Sequence, residues 1–295
     1  MVATRGSREA GAERSVVVEI GGAAGEAFPV VVRPLRSLDD YRACESLERQ
    51  TWGEGFSECV PGSILMISQK VGGVAAGAFD SDGRMIGMVF GLTGPRRGEL
   101  AHWSHMLAVR PDYRGLGLGR ELKLYQRRVL RERGVRVMLW TFDPLVARNA
   151  HLNICRLGAR PIEYVRDLYG ADTSSELHSG LGTDRFVVEW RLDEEEAIAW
   201  PDDAADWAST PIVNVDPGGD PLADPERLSG SPVRVEIPAD IQAEKALGAD
   251  RGALWRRSTR RALEAALSAG LAVHGFERDA AGERCRYRLA PGHPA

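Results

Sequence analysis

Two runs of residues have the types and spacing that chemistry needs. The first is Arg114-Gly115-Leu116-Gly117-Leu118-Gly119-Arg120, placed just after an apolar run that ends at Val109. Alternating glycines let successive backbone N–H groups turn toward one concave point with no side chain in the way. A helix starting directly behind them adds its own unpaired N–H groups and the positive end of its dipole, about 0.3–1 kcal/mol per exposed anionic charge. That chemistry holds phosphate, although the glycines alone equally suit a plain tight turn. Neither commoner phosphate loop is present: the third glycine of G-x-G-x-x-G is missing, and no G-x-x-x-x-G-K-[ST] occurs. The second run is 101–109, which contains His105. Period-two alternation puts Trp103, His105, Leu107 and Val109 on one strand face and His102 on the other. An imidazole with a pKa near its ordinary value of about 6.5 exchanges a proton at neutral pH; its other use is as a hydrogen-bonded structural group.

The elements that position these residues follow from pattern and punctuation. A strand is expected over 30–33, a helix over 39–52 and a second helix opening at Pro61 and stopping at Gly72-Gly73. Strands over 74–79 and 85–92 join at Asp82-Gly83, a hairpin signal. A strand over 100–110 feeds the glycine loop. The helix 120–133 behind the loop has Leu118, Leu122, Tyr125 and Val129 on one face. A strand (136–142), a helix (145–157, stopped by Gly158), a strand from Ala159 and a last strand (184–192) complete an α/β (α+β) sheet. The sheet is largely antiparallel, with one helix crossover at its centre. After it come a strand (233–237), a helix (251–269) and a hairpin of 271–278 and 285–289 around Ala281-Gly282.

The boundary between these parts is chemical. Residues 193–226 hold eleven Asp and Glu and no Lys or Arg, and six prolines lie between 193 and 232. Such a stretch supports no regular helix or central strand and reads as a linker or surface wrap. The expected organisation is a tail (1–27), a first domain (28–192), an acidic linker (193–231) and a C-terminal helix-plus-hairpin appendage (232–295). The appendage is too small to stand alone, so it packs on the first domain or on a second copy in a homodimer. The net charge is −4, but outside the acidic segment 38 basic residues face 31 acidic ones. A mildly basic body suits an anionic ligand, and the acidic segment argues against nucleic acid. Only three of the basic residues are Lys, so arginine abundance is not read as function. The four cysteines are scattered without C-x-x-C spacing, which argues against a disulfide scaffold or a zinc cluster, and no metal is expected. With no apolar run near 18 residues and no signal-like start, a cytoplasmic chain without membrane association is expected.

Arg-x-x-Gly-x-Gly between a strand end and a long helix, preceded by a β-hairpin, resembles motif A of the GNAT acyltransferase superfamily. The likeness covers about 30–192. The runs 73–80, 104–119, 140–145 and 148–151, with the tail 181–190, are similar to a bacterial branch of predicted acetyltransferases. The resemblance implies a GNAT-like mixed sheet with a splayed central strand pair and flanking helices, and acetyl-CoA or another acyl-CoA as co-substrate. It also implies that Arg114, Gly115, Leu116, Gly117, Leu118, Gly119 and Arg120 bind the pyrophosphate, with Lys123 as a further reach from the helix. Backbone groups of Leu107 and Val109 would pair with pantetheine.

Acyl transfer to an amine requires a neutral amine, a donor for the thioester oxygen and a proton for the leaving thiolate. Deprotonating a lysine side chain of pKa about 10.4 at pH 7 costs about 4.6 kcal/mol, and an α-amine near 7.8 about 1 kcal/mol. His105, on the strand where the family often carries its base, is a modest base and so fits a small-molecule amine acceptor. The family's usual Tyr and Asn before Gly158 are replaced by Ile154 and Ala147. Asn149 or Asn153 is expected to take over the contact to pantetheine, and Tyr169, or else Tyr164, to protonate the thiolate. Asp143 reads as a helix cap or a substrate contact, and Arg185 as a carboxylate binder or half of a structural pair. The function implied is acyl-CoA-dependent N-acylation of a small-molecule amine by direct attack. The alternative is a non-catalytic acyl-CoA-binding regulatory or assembly module.

Overall fold

The computed structural model describes residues 14–21, 27–170, 181–194, 206–216, 218–222, 231–279 and 282–292. They divide into two compact units.

The first unit comprises residues up to 51, 59–93 and 106–134. Strands β1 (Val16–Gly21), β2 (Ala27–Pro34), β3 (Val74–Phe79) and β4 (Met85–Arg96) follow one another antiparallel. β1 is an addition to the expected set, since it lies in the stretch read as a tail. Helices α1 (Leu38–Trp52) and α2 (Gly62–Lys70) precede β3, and α3 (Leu118–Glu132) follows the end of β5 (Glu99–Val109). All six β3 residues are buried, and α2 and α3 both pack on this strand. Its run of Ala75, Ala76, Gly77 and Ala78 explains how: small side chains let helices approach a strand covered on both faces. Leu118, Leu122 and Leu130 of α3 are fully buried, each worth about 1.5–3 kcal/mol relative to exposure. The hairpin at Asp82-Gly83 forms as expected, with Gly83 at positive φ and Asp80 accepting from the N–H groups of Asp82 and Arg84.

The second unit comprises 52–58, 94–105 and the described residues from 135 onward. β5 pairs in parallel with β6 (Val137–Phe142) only where Ala101, His102 and Trp103 meet Val137, Met138 and Leu139. β6 is paired along its whole length with β8 (Arg185–Arg191), which in turn holds β7 (Arg160–Val165), both antiparallel. Trp140, Thr141 and Phe142 therefore have a β8 partner and no β5 partner, the splay expected of the central pair. Between β6 and β7 the chain is α-helical only over α4 (Ala147–Ala150) and then π-helical over His151–Arg156, where one long α-helix is expected.

The C-terminal segment forms a second sheet, β10 (Leu271–Arg278), β11 (Arg284–Pro291) and β9 (Val233–Pro238) in spatial order. Helices α5 (Ile241–Leu247), capped by Asp240, and α6 (Ala249–Ser268) lie between β9 and β10 in the chain, and α6 packs on both strands. This segment sits directly on the β6–β8 strands. The Tyr287 ring meets Phe186 at 5.4 Å and its hydroxyl donates to the Pro144 carbonyl at 2.7 Å. The described part of the acidic segment wraps the β9 edge: Ile212 bridges Arg234, and Asn214 exchanges hydrogen bonds with the Glu236 backbone at 2.7 and 2.8 Å. Pairing a free strand edge in this way removes a template for aggregation. Ala281 of the expected hairpin turn lies outside the described residues. Among the described residues, no helix is long and apolar enough to cross a membrane, and no group of three or more His, Cys, Asp or Glu could hold a metal ion.

Candidate active site

In the first unit, β5 ends at Val109 and a 3-10 turn over Pro111–Tyr113 leads into the glycine loop. Gly115 and Gly117 have φ of +79° and +89°, and a Cβ built on either meets nothing within 4 Å. Left-handed backbone, and not crowding, is thus what calls for glycine there. Gly117 caps α3 without any side chain, and the first helical bonds run from the N–H groups of Arg120 and Glu121 to its carbonyl. The N–H groups ahead of Arg120 have no acceptor within the helix, the arrangement that suits an anion. The Arg114 guanidinium folds back to donate to the Val109 carbonyl at 3.0 Å, which ties the loop to the strand end. Arg120 pairs with Glu121 at 3.2 Å while its buried Nε has no acceptor, as does the buried Nε of Arg110. Positive φ, an uncapped helix start and two orphaned guanidinium nitrogens fit a pyrophosphate. Lys123 departs from the expectation: it is buried, and that burial lowers its pKa far below the ordinary value.

Strand β5 alternates as predicted. His102, Ser104, Met106 and Ala108 are buried, while Trp103, Leu107 and Val109 are half-buried and His105 is exposed. Although part of its surface is open to solvent, the atoms around the His105 ring desolvate it and lower its pKa below 6.5, against a smaller upward pull from Glu58, so the imidazole is mostly neutral at pH 7. That is the protonation state a base needs.

The remaining candidates of the second unit gather at the end of β6. The Tyr169 hydroxyl lies 3.2 Å from Thr141 Oγ1, on the part of β6 that has no β5 partner. The Arg185 guanidinium stands 5.4 Å from the Tyr169 ring centroid. Tyr164, the other candidate acid, donates to Asp184 instead; burial first and the Asp184 charge second raise its pKa, so its proton is held. Asn153 is buried and accepts from Trp140 Nε1 at 3.1 Å, which leaves the half-buried Asn149 as the better placed of the two asparagines. Ile154, where a tyrosine is usual, is fully buried in the π-helical turn.

Asp143 and Arg185 differ from the expectation of a substrate contact. Asp143 is 4% exposed, accepts from the Leu145 N–H at 2.9 Å, and pairs with Arg256 at 2.6 Å and Arg185 at 3.7 Å. Burial alone would raise its pKa, but the two arginine charges outweigh it and hold the carboxyl below its ordinary range. Arg185 is buried too and donates to the Asp184 carbonyl at 2.8 Å. Asp143 does not cap α4, whose N-cap is Val146 without a side-chain bond; its carboxylate is instead held by Arg185 and by Arg256, which α6 delivers to it. No local signal in the sequence announces Arg256; it is one arginine among several in an arginine-rich helix.

Residues 41–152 match the model of the acetyltransferase (GNAT) family. Among solved structures, the ribosomal-protein-S18-alanine N-acetyltransferase of Escherichia coli is 19% identical, over 56% of this chain and 96% of that one, with a TM-score of 0.43. The protein yncA of Salmonella typhimurium, solved with its cofactor acetyl-CoA, is 18% identical over 57% of this chain and 96% of its own, with a TM-score of 0.45. The ribosomal-protein-S5-alanine acetyltransferase of Vibrio fischeri is 15% identical over 57% and 96%, with a TM-score of 0.44. No curated protein matches the chain significantly. The family match thus runs from within α1 to the start of the π-helical turn and takes in the glycine loop, so that this part of the chain is similar to a GNAT acetyltransferase domain.

Proposed function

We propose that this enzyme transfers an acyl group, acetyl by default, from coenzyme A to the amine of a small molecule by direct attack in a ternary complex. The observation that carries the reading is the uncapped start of α3 behind two glycines of positive φ. The N–H groups of the 114–120 loop, with Arg114 and Arg120, bind the pyrophosphate; backbone groups of Leu107 and Val109, helped by Asn149, hold the pantetheine.

In the reaction the acceptor nitrogen attacks the thioester carbonyl carbon, the C–N bond forms and the C–S bond breaks. His105, neutral at pH 7, takes the proton released by the amine. Tyr169 gives its proton to the departing thiolate, so that free CoA thiol leaves, and recovers one from solvent. A base whose pKa lies below 6.5 suits an acceptor that is itself partly neutral at pH 7. α-Amines near pKa 7.8 therefore fit better than lysine side chains.

The test is mass spectrometry of acetyl-CoA and succinyl-CoA incubated with the protein and a panel of amino acids, other small primary amines and a lysine-containing peptide blocked at its N-terminus. An acylated small amine with one equivalent of free CoA is expected. Acylation of the peptide lysine alone would overturn the acceptor assignment. Tight acyl-CoA binding with no CoA release over the whole panel would favour the non-catalytic binding module.

A further inference from the structure

We infer that Arg256, on a helix outside the family-matched residues, is a positioning residue for acyl transfer: it fixes the ends of β6 and β8 so that the Tyr169 hydroxyl meets Thr141 beside the unpaired edge of β6. The inference rests on the acyl-transfer reading and adds to it a task for the C-terminal segment.

Arg256 is 4% exposed and holds two points at once. Its Nη2 donates to Asp143 Oδ2 at 2.6 Å, one residue beyond β6, and its Nε donates to the Leu181 carbonyl at 2.8 Å, ahead of β8. One turn further along α6, Arg260 donates to Asp184 Oδ2 at 2.8 Å and to Asp167 Oδ1 at 3.0 Å. The segment 181–184 thus anchored is the one that grips the turn carrying Tyr169. Thr183 accepts from the Tyr169 N–H at 3.0 Å, donates to the Gly170 carbonyl at 2.6 Å, and offers its own carbonyl to the Leu168 N–H at 3.2 Å. Gly182 lets the two strands of this joint close up, since a Cβ on it would stand 2.5 Å from Asp167 Oδ1 and its φ is +70°.

A second path leads to the same tyrosine. Asp143 holds Arg185 at 3.7 Å, and Arg185 lies against the Tyr169 ring. Arg256 bonds the same Oδ2 of Asp143 at 2.6 Å, so one carboxylate oxygen ties Arg256 to the arginine that lies against Tyr169. Around Asp143 the facing charged and titratable groups are Arg256 from α6, Arg185 from β8 and Tyr287 from β11. Nothing in this joint belongs to the glycine loop, so its disturbance should act on turnover and not on cofactor affinity. That separation sets the role apart from general stability.

The test compares wild type, Arg256→Met, Arg256→Lys and the control Arg251→Met in the full chain, with acetyl-CoA and an amino acid panel. Arg251 lies on the same helix and pairs with Asp220 and Glu244 nearer the surface. Arg256→Met is expected to lower kcat at least tenfold with KM for acetyl-CoA within twofold. Arg256→Lys, which keeps the charge and folds if the methionine variant does not, should recover part of that loss, and Arg251→Met should match wild type. A folded Arg256→Lys or Arg256→Met with wild-type kcat overturns the inference, as does an equal fall in kcat and acetyl-CoA affinity. A wild type that binds no acetyl-CoA in a melting assay overturns the acyl-transfer reading itself, a result separate from any difference among the variants.

Discussion

Substituting Gly117 separates backbone strain from ligand electrostatics. Its φ of +89° is left-handed, and a Cβ there meets no neighbour within 4 Å, so Gly117→Ala and Gly117→Glu share one structural penalty. For a residue with a Cβ that penalty is about 1–2 kcal/mol. It lowers the melting temperature by roughly 2–4 °C per kcal/mol in a chain of this size class. Only the glutamate adds charge at the helix start. A carboxylate about 5 Å from a phosphate repels it by about 0.8 kcal/mol at a water-like dielectric and about 3.3 kcal/mol at an effective dielectric near 20. The glutamate variant should therefore bind CoA about 4-fold to 250-fold more weakly than the alanine variant, and the gap should narrow in high salt. Calorimetric titration with CoA, beside melting curves without ligand, reads both quantities. If the two variants bind CoA within threefold of each other at low salt while melting alike, the loop does not hold the pyrophosphate.

Three further outcomes follow from the site and the core. His105→Gln should lower kcat by about 10²–10⁴ and abolish the acid limb of the pH–rate profile. Because the His105 pKa is lowered, that limb in wild type should lie below pH 6.5, activity falling as the imidazole gains its proton. Tyr169→Phe should lower kcat about tenfold or more with KM for acetyl-CoA unchanged, and the loss should shrink with a donor thioester whose thiol is more acidic. Glu48 is fully buried, and desolvation pushes its carboxyl up from 4.5 to about 7. Its raised folded-state pKa gives a contribution to stability that is full below about pH 4.5 and lost as pH rises through 7, on the order of 3 kcal/mol in all. Glu48→Gln, which keeps the acceptor for the Val60 N–H, should melt above wild type at pH 8 and not at pH 4.5; equal melting at both would refute the assignment.

Most of the fold was legible because its signals are local. Gly115 and Gly117 mark left-handed backbone, Asp82-Gly83 marks a hairpin, and period-two alternation over 101–109 separated His105 from His102 as the structure does. β1 escaped notice because a six-residue edge strand behind a charged start has little pattern of its own and is defined by its pairing with β2. The π-helical turn at His151–Arg156 was not legible either. Its one extra residue per turn is set by packing: it brings Asn153 to the Trp140 indole and turns Cys155 toward the Phe276 carbonyl.

The sequence by itself determined the class of sheet, the glycine loop with its backbone geometry, and the strand face that carries His105. Each of these depends on residues within one turn or one strand of each other. What the tertiary structure alone decided is the identity of the groups around Asp143. A carboxylate after a strand reads equally as a cap, a ligand contact or an ion pair until its partners are known. Those partners come from 113 residues down the chain, in Arg256, and from the β8 strand, in Arg185. Burial then settles the outcome: a buried charge is stable only when paired, and here the pairing draws the C-terminal helix onto the end of the strand that carries Thr141, beside the turn that carries Tyr169.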